Sequence, residues 1–388
     1  MEPTVLGESY RFKNRVADLA IELAQKSAGF KRSLPASIVG TLAGLVRSMN
    51  CYYSNLIEGH DTHPIDIERA LNNDYSFDLR KRDLQLEARA HISVQQWIDS
   101  GGLAGRSPVS AEAIHEIHRR FCELLPDGLL WVEDSSSETR TRVVPGQPRD
   151  RDVIVGRHVA ISPGAVPRFL ERFSLVYGRL GKAESIVAVA AAHHRLLWIH
   201  PFLDGNGRVS RLMSHAQLLN LLDTGAVWSV ARGLARGVQE YKQLLASCDR
   251  TRRNDLDGRG NLSEEALGAF TEFFLKVCID QVSFMETLMQ PSRLRARILQ
   301  WAEEEARLGG LPPKSGAILE AILYRGELAR GDADTLLGTG ERQARRIVSA
   351  LVRKGVLVSE SSRAPLRLAF PAALAGRWMP GLFPDKPE

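Results

Sequence analysis

Residues 183–199, AESIVAVAAAHHRLLWI, are apolar on nearly every helical face, and the next residues are His200 and Pro201. A helix with no polar side has to run through the middle of a domain, and a proline behind it forbids another turn. Gly205 and Gly207 follow, allowing backbone angles that a side chain resists. Helical spacing then restarts in GRVSRLMSHAQLLNLL. Two central helices joined by a short glycine-bearing turn are therefore expected, and the rest of the fold has to cover them.

The covering segments are also helical in period. Residues 37–58 and 79–99 repeat apolar positions at three and four, Ser110 is placed to cap AEAIHEIHRRFCELL, and VPRFLERFSLVYGRL continues the pattern. Between 133 and 163 the character changes. Turn formers bracket short β-branched runs at Val153–Val155 and around Val159–Ile161, which predicts a small hairpin. The fold class expected is mostly α, with one hairpin.

At 388 residues, 44% hydrophobic and 25% charged, the chain has an ordinary globular composition with room for two or three domains. The divisions read from it are 1–105, a helical region; 106–290, a core; and 291–388, a tail, with Pro291 and RLGGLPPKSG at 307–316 as boundary material. Cys51, Cys122, Cys248 and Cys278 form no CxxC pair, which argues against zinc and disulfides and fits a reducing cytosol. No apolar run approaches the ~18 residues of a membrane span, and the N-terminus is unlike a secretion signal, so a cytoplasmic protein without membrane contact is expected. Residues 291–388 hold 16 Lys+Arg against 11 Asp+Glu, while the first 290 balance at 35 against 35, so the net charge of +5 belongs to the tail.

The joining turn, HPFLDGNGRVSR at 200–211, carries the chemistry. Gly205, Asn206 and Gly207 fall at a helix N-terminus, where unpaired amides and the helix dipole favour an anion. Arg208 and Arg211, three apart, share one side of that helix and suit further phosphate oxygens. Asp204 would repel bare phosphate and makes sense as a Mg²⁺ ligand, since Mg²⁺ is commonly held by one carboxylate with phosphates and water. His200, fixed at a helix end, is the candidate general base.

These residues resemble the signature of the Fic family, HPFx[D/E]GNGRxxR, at every specified position. The resemblance implies a helical core over roughly 106–285 and transfer of AMP from ATP to a Ser, Thr or Tyr hydroxyl of a target protein. It also implies roles: His200 as general base, Asp204 as Mg²⁺ ligand and Gly205, Asn206 and Gly207 as the α-phosphate nest. Arg208 and Arg211 would contact the β- and γ-phosphates, Phe202 would support the loop, and Tyr241 would lie beside adenine. The two glycines differ from the turn of the kinase-like Doc branch, favouring nucleotidyl transfer over phosphorylation. The hairpin at 146–161 resembles the family's flap, whose edge can take up a target segment by strand addition, although Pro148 precedes Arg149 where an aromatic is usual.

Upstream, SNLIEG at Ser54–Gly59 closes an amphipathic helix and matches the family's inhibitory pattern [S/T]xxxE[G/N]. By that resemblance Glu58 pairs with Arg211 at the γ-phosphate end and restrains the enzyme, with Ser54 and Gly59 completing the motif. The same carboxylate could instead orient a water for removal of AMP. His115 and His118 in HEIH lack zincin spacing and are expected on an exposed helix; His193 and His194 are expected in the core. No metal beyond Mg²⁺ is assigned.

Residues 314–370 read as a winged helix, with a third helix burying Ala344, Ile347, Val348 and Leu351 and exposing Arg342, Arg345, Arg346 and Arg353. That helix suits DNA contact, and winged helices also serve as protein-docking or homodimer modules. The alternative reading of the whole chain is a DNA-binding regulator whose core binds nucleotide without turnover.

Overall fold

The computed structural model describes residues 1–8, 10–133 and 140–384. The polar stretch 134–139, part of the region read as turn-forming, lies outside them. The helices are α1 (Lys13–Arg32), α2 (Ala36–Ile57), α3 (Pro64–Leu71), α4 (Leu79–Asp99) and α5 (Ala111–Glu123). Two short antiparallel pairs follow, β1 (Trp131–Glu133) with β2 (Arg140–Arg142) and β3 (Ile154–Val155) with β4 (His158–Val159). Then come α6 (Val166–Gly178), α7 (Lys182–Ile199), α8 (Asn206–Leu222), α9 (Val230–Arg236), α10 (Val238–Ser247) and α11 (Glu264–Leu288). The chain continues through α12 (Pro291–Arg307), α13 (Ser315–Arg325), β5 (Glu327–Leu328), α14 (Ala333–Leu337), α15 (Glu341–Arg353), β6 (Leu357–Val358), β7 (Leu366–Leu368) and α16 (Ala375–Trp378). The protein is mostly helical, as its periodicity requires.

Two compact units divide the chain: Met1–Ala28, Asn50–Thr224 and Ser229–Gln281 form the first, Gly29–Met49, Gly225–Trp228 and Val282–Glu388 the second. In the first, α7 and α8 pack along one another at the centre. Their facing residues Val189, Ala192, Leu196, Val209, Leu212 and Met213 are excluded from water, which is what a run of small apolar residues makes possible by letting backbones approach. α4, α5 and α6 pack around this pair. Ser110 caps α5 by accepting from the Ala113 N–H at 3.1 Å, and the hairpin falls on the two β-branched runs that predicted it.

In the second unit Pro291 stands at the first position of α12, where its missing N–H costs nothing. Trp301 and Trp378 meet edge to face with ring centroids 5.2 Å apart, inside a core shared by α12, α13 and α16. The antiparallel sheet has order β5-β7-β6. α15 buries Ala344, Ile347, Val348 and Leu351, and its arginines at 342, 345, 346 and 353 are exposed. Among the described residues, no helix is long and apolar enough to cross a membrane.

Candidate functional site

The end of α7 sets the site. His200 adopts φ 51 and ψ 63, a left-handed conformation uncommon for a residue with a side chain, while its N–H still reaches the Leu196 carbonyl at 3.0 Å. Surrounding structure must hold such a residue in place, and Arg149 from the flap does so. Its backbone N–H donates to Pro201 O at 2.8 Å, and its Nε donates to His200 O at 2.8 Å. The other guanidinium nitrogens reach Arg151 O and Ile161 O. One buried side chain therefore ties both ends of the flap to the turn that carries His200. Burial, with the Arg149 charge added, pushes the His200 pKa down to about 4, so the imidazole is neutral near pH 7.

The turn itself is braced from inside. Phe202 is fully buried and stacks on His118, centroids 3.7 Å apart and planes 2° from parallel. His118 Nδ1 accepts the Gly146 N–H at 2.9 Å. The Asn206 side chain closes on the backbone of Phe202, its Oδ1 accepting from N at 3.0 Å and its Nδ2 donating to O at 2.8 Å. Its amide is spent on the loop, and what it offers a ligand is its main-chain N–H. Gly205, at φ 78, is the N-cap of α8; the amides of Asn206, Gly207 and Arg208 start the helix and have no intrahelical acceptor. The expectation that HEIH is exposed is corrected here: His118 is completely buried, because its ring is the floor for Phe202.

From α8, Arg211 donates Nε to Ser54 Oγ at 2.8 Å, and one terminal nitrogen to Ser54 O at 3.2 Å and to Glu58 Oε1 at 2.5 Å. Burial alone would raise the Glu58 pKa, but the Arg211 charge and hydrogen bond, backed by Arg208 and Lys242, outweigh it and hold the carboxyl below its ordinary range. Gly59, at φ 87, turns the chain away just after α2. Glu58 lies on the face of Gly207, where an added Cβ would displace its Oε1. Arg208 is paired with Glu87 of α4, while its Nε is buried without a partner. A buried donor left open is costly unless an acceptor arrives.

Asp204 is exposed on the turn. Among the described residues, no group of three or more His, Cys, Asp or Glu could cage a metal. A single accessible carboxylate beside an anion site nevertheless fits Mg²⁺, which takes most of its ligands from phosphates and water. Tyr241 is buried, its hydroxyl 2.8 Å from His193 Nε2, and His193 Nδ1 lies 2.9 Å from Ser214 Oγ. Its phenol belongs to the core behind Arg211, whose charge and hydrogen bond act on it.

The structure thus gathers His200, Asp204, Gly205, Asn206, Gly207, Arg208, Arg211, Ser54 and Glu58 around one turn. Sequence reasoning named Arg149 and His118 without giving either a part in the site, and passed over Glu87. The signal for Glu87 was present: Glu87, His91, Gln95 and Asp99 recur every fourth residue of α4, a polar stripe along one side of the helix.

Fold and site together define a helical protein in which two central helices meet at a glycine turn, with main-chain amides opening one helix and a neutral imidazole closing the other. Residues 108–218 match the Fic/DOC family model. Over 223 residues it is 26% identical to the protein adenylyltransferase Fic of Drosophila erecta, a match covering 55% of this chain and 42% of that one. The Culex quinquefasciatus protein of the same name is 27% identical over 226 residues, with the same coverage. The matched region spans less than half the length of these curated relatives. Two solved structures share the fold. A Fic family protein from Desulfovibrio desulfuricans G20 has a TM-score of 0.54 at 17% identity over 94% of this chain and 98% of that one. A Fic domain containing signaling protein from Bacteroides thetaiotaomicron has 0.51 at 18%, over 69% and 95%.

Proposed function

We propose that this protein is an adenylyltransferase: it moves AMP from ATP onto a Ser, Thr or Tyr hydroxyl of a target protein and is restrained by Glu58. The observation that carries the reading is a half-buried, neutral His200 held at the end of α7 beside the open amides that begin α8. Neutral imidazole accepts the hydroxyl proton, the oxygen forms its bond to the α-phosphorus, and the bond to the β-phosphate bridge breaks, releasing pyrophosphate. The amides of residues 206–208 take the charge that builds on the α-phosphate, and Arg208 and Arg211 take the leaving pyrophosphate. Mg²⁺, when bound at Asp204, would neutralise phosphate oxygens and orient the leaving group.

Restraint follows from the competition for Arg211. Both Ser54 and Glu58 sit on the donors a γ-phosphate would need, so ATP enters with its α-phosphate misaligned. With ATP labelled at the α-phosphate, Glu58→Gly should raise protein labelling at least about tenfold, and Glu58→Gly with His200→Ala should show none. Labelling that persists without His200 would sink the assignment. Should Glu58→Gly leave labelling flat while His200→Ala removes it, only the restraint fails. Loss of label from an AMP-modified protein, dependent on Glu58, would instead establish the removal reaction.

The order α13, β5, α14, α15, β6, β7 supports the winged-helix reading of 314–370. DNA contact by Arg342, Arg345 and Arg346 would fall steeply with salt; a docking or homodimer role would leave DNA affinity weak at every salt concentration.

A further inference from the structure

Beyond the inhibitory motif, α4 lays a second polar row against α8. Glu87, His91, Gln95 and Asp99, four residues apart, share one face. Glu87 pairs with Arg208, Gln95 Nε2 lies 3.5 Å from His215 Nε2, and Asp99 Oδ1 lies 2.6 Å from the same nitrogen. Glu87 uses both oxygens: Oε1 accepts from Arg208, and Oε2 is 2.8 Å from His60 Nδ1. The same imidazole nitrogen lies 3.1 Å from Arg208; because a carboxylate only accepts, His60 carries the proton on Nδ1 and donates it to Glu87, so the contact with Arg208 is proximity and not a hydrogen bond. Arg208 and Glu87 side chains are 8% and 6% exposed, and the guanidinium lies over Phe121, 5.4 Å from the ring centroid.

The two arginines of the turn are therefore held differently. Arg211 has its Nε and one terminal nitrogen occupied by the inhibitory motif. Arg208 is gripped at one terminal nitrogen from behind and supported by an aromatic face, with Nε bare. A flexible cation fixed in this way does not have to be ordered at the moment a ligand binds.

We propose that Glu87 is a positioning residue that fixes Arg208 for the pyrophosphate portion of ATP, with His60 holding Glu87 from the far side. This rests on the adenylyltransferase reading. It also differs from the role given to Glu58, because Glu87 supports substrate binding where Glu58 opposes it.

The test is a coupling cycle in the Glu58→Gly protein, using Mg-ATP, with calorimetric affinity and labelling rate measured separately. Glu87→Gln keeps the shape and an acceptor but drops the charge. It should raise KM and Kd for ATP about tenfold, as Arg208→Ala does, and combining the two should cost no more than Arg208→Ala alone. Because removing one partner of a buried pair can unfold a protein, Glu87→Asp is the second variant: it keeps the pair, moves it, and should weaken ATP affinity less than Glu87→Gln. Costs that simply add, unchanged ATP affinity in both variants, or tighter binding on losing Glu87 would each overturn the proposal. Affinity does not depend on transfer. A protein that binds ATP and labels nothing defeats the proposed activity yet still tests Glu87, and one that binds no ATP defeats both.

Discussion

At the residue scale, the pKa of His200 decides the pH behaviour. A base works only when unprotonated, and burial together with Arg149 lowers the His200 pKa from an ordinary value of about 6.5 to about 4. The acid limb of kcat/KM for the Glu58→Gly protein should accordingly lie near pH 4 and not between 6 and 7. Replacing Arg149 with Met removes the second cause and frees the left-handed turn. That variant should shift the limb to higher pH and slow labelling by an order of magnitude or more, read from the same pH profile. An unchanged limb with unchanged rate would mean the clamp does not act on His200. Glu58 was readable through its motif. The role of Arg149 was not, because its importance lies in four carbonyl partners set by how the flap folds back.

Among the elements, α4 meets α8 through polar pairs, Glu87 with Arg208 and Asp99 with His215. His91 sits in its middle, wholly buried, with neither ring nitrogen partnered. Burial and the charges of Arg211, Arg208 and His215 push its pKa down to about 3. An unsatisfied buried polar group costs about 1–3 kcal/mol, whereas an apolar side chain of similar size loses nothing there. His91→Leu should leave the melting temperature equal or raise it by a few degrees. A large drop in a thermal melt would show that the ring has bridging waters. Helical period revealed α4 but drew no attention to its stripe, since a polar row on a long helix is compatible with solvent until a neighbour covers it.

For the whole molecule, buried neutral histidines link stability to acid. His91 and His193 are pushed to about 3, and His118, His194 and His200 to about 4, chiefly by burial. In the unfolded chain each binds a proton near pH 6.5, so between 6.5 and 4 the unfolded state holds more protons than the folded one. Their contribution is complete above pH 6.5 and is lost as pH falls toward 4. Urea midpoints should therefore decline across that window; a flat profile from pH 7 to 4.5 would contradict the buried, neutral assignment. The tail's excess of positive charge was plain from composition, and a DNA titration at two salt concentrations checks what it serves.

The sequence by itself determined the elements and the chemistry of one turn, because proline, glycine and helical period act over a dozen residues, and 200–211 packs base, carboxylate, amides and arginines within that reach. The Glu58 partner of Arg211 was legible through its motif, whereas only the tertiary structure decided what grips Arg208. Glu58 lies 153 residues from Arg211, and Glu87 lies 121 from Arg208. At such separations, pairing is fixed by which helix faces close on one another, and burial then turns ordinary polar residues into the supports of the site.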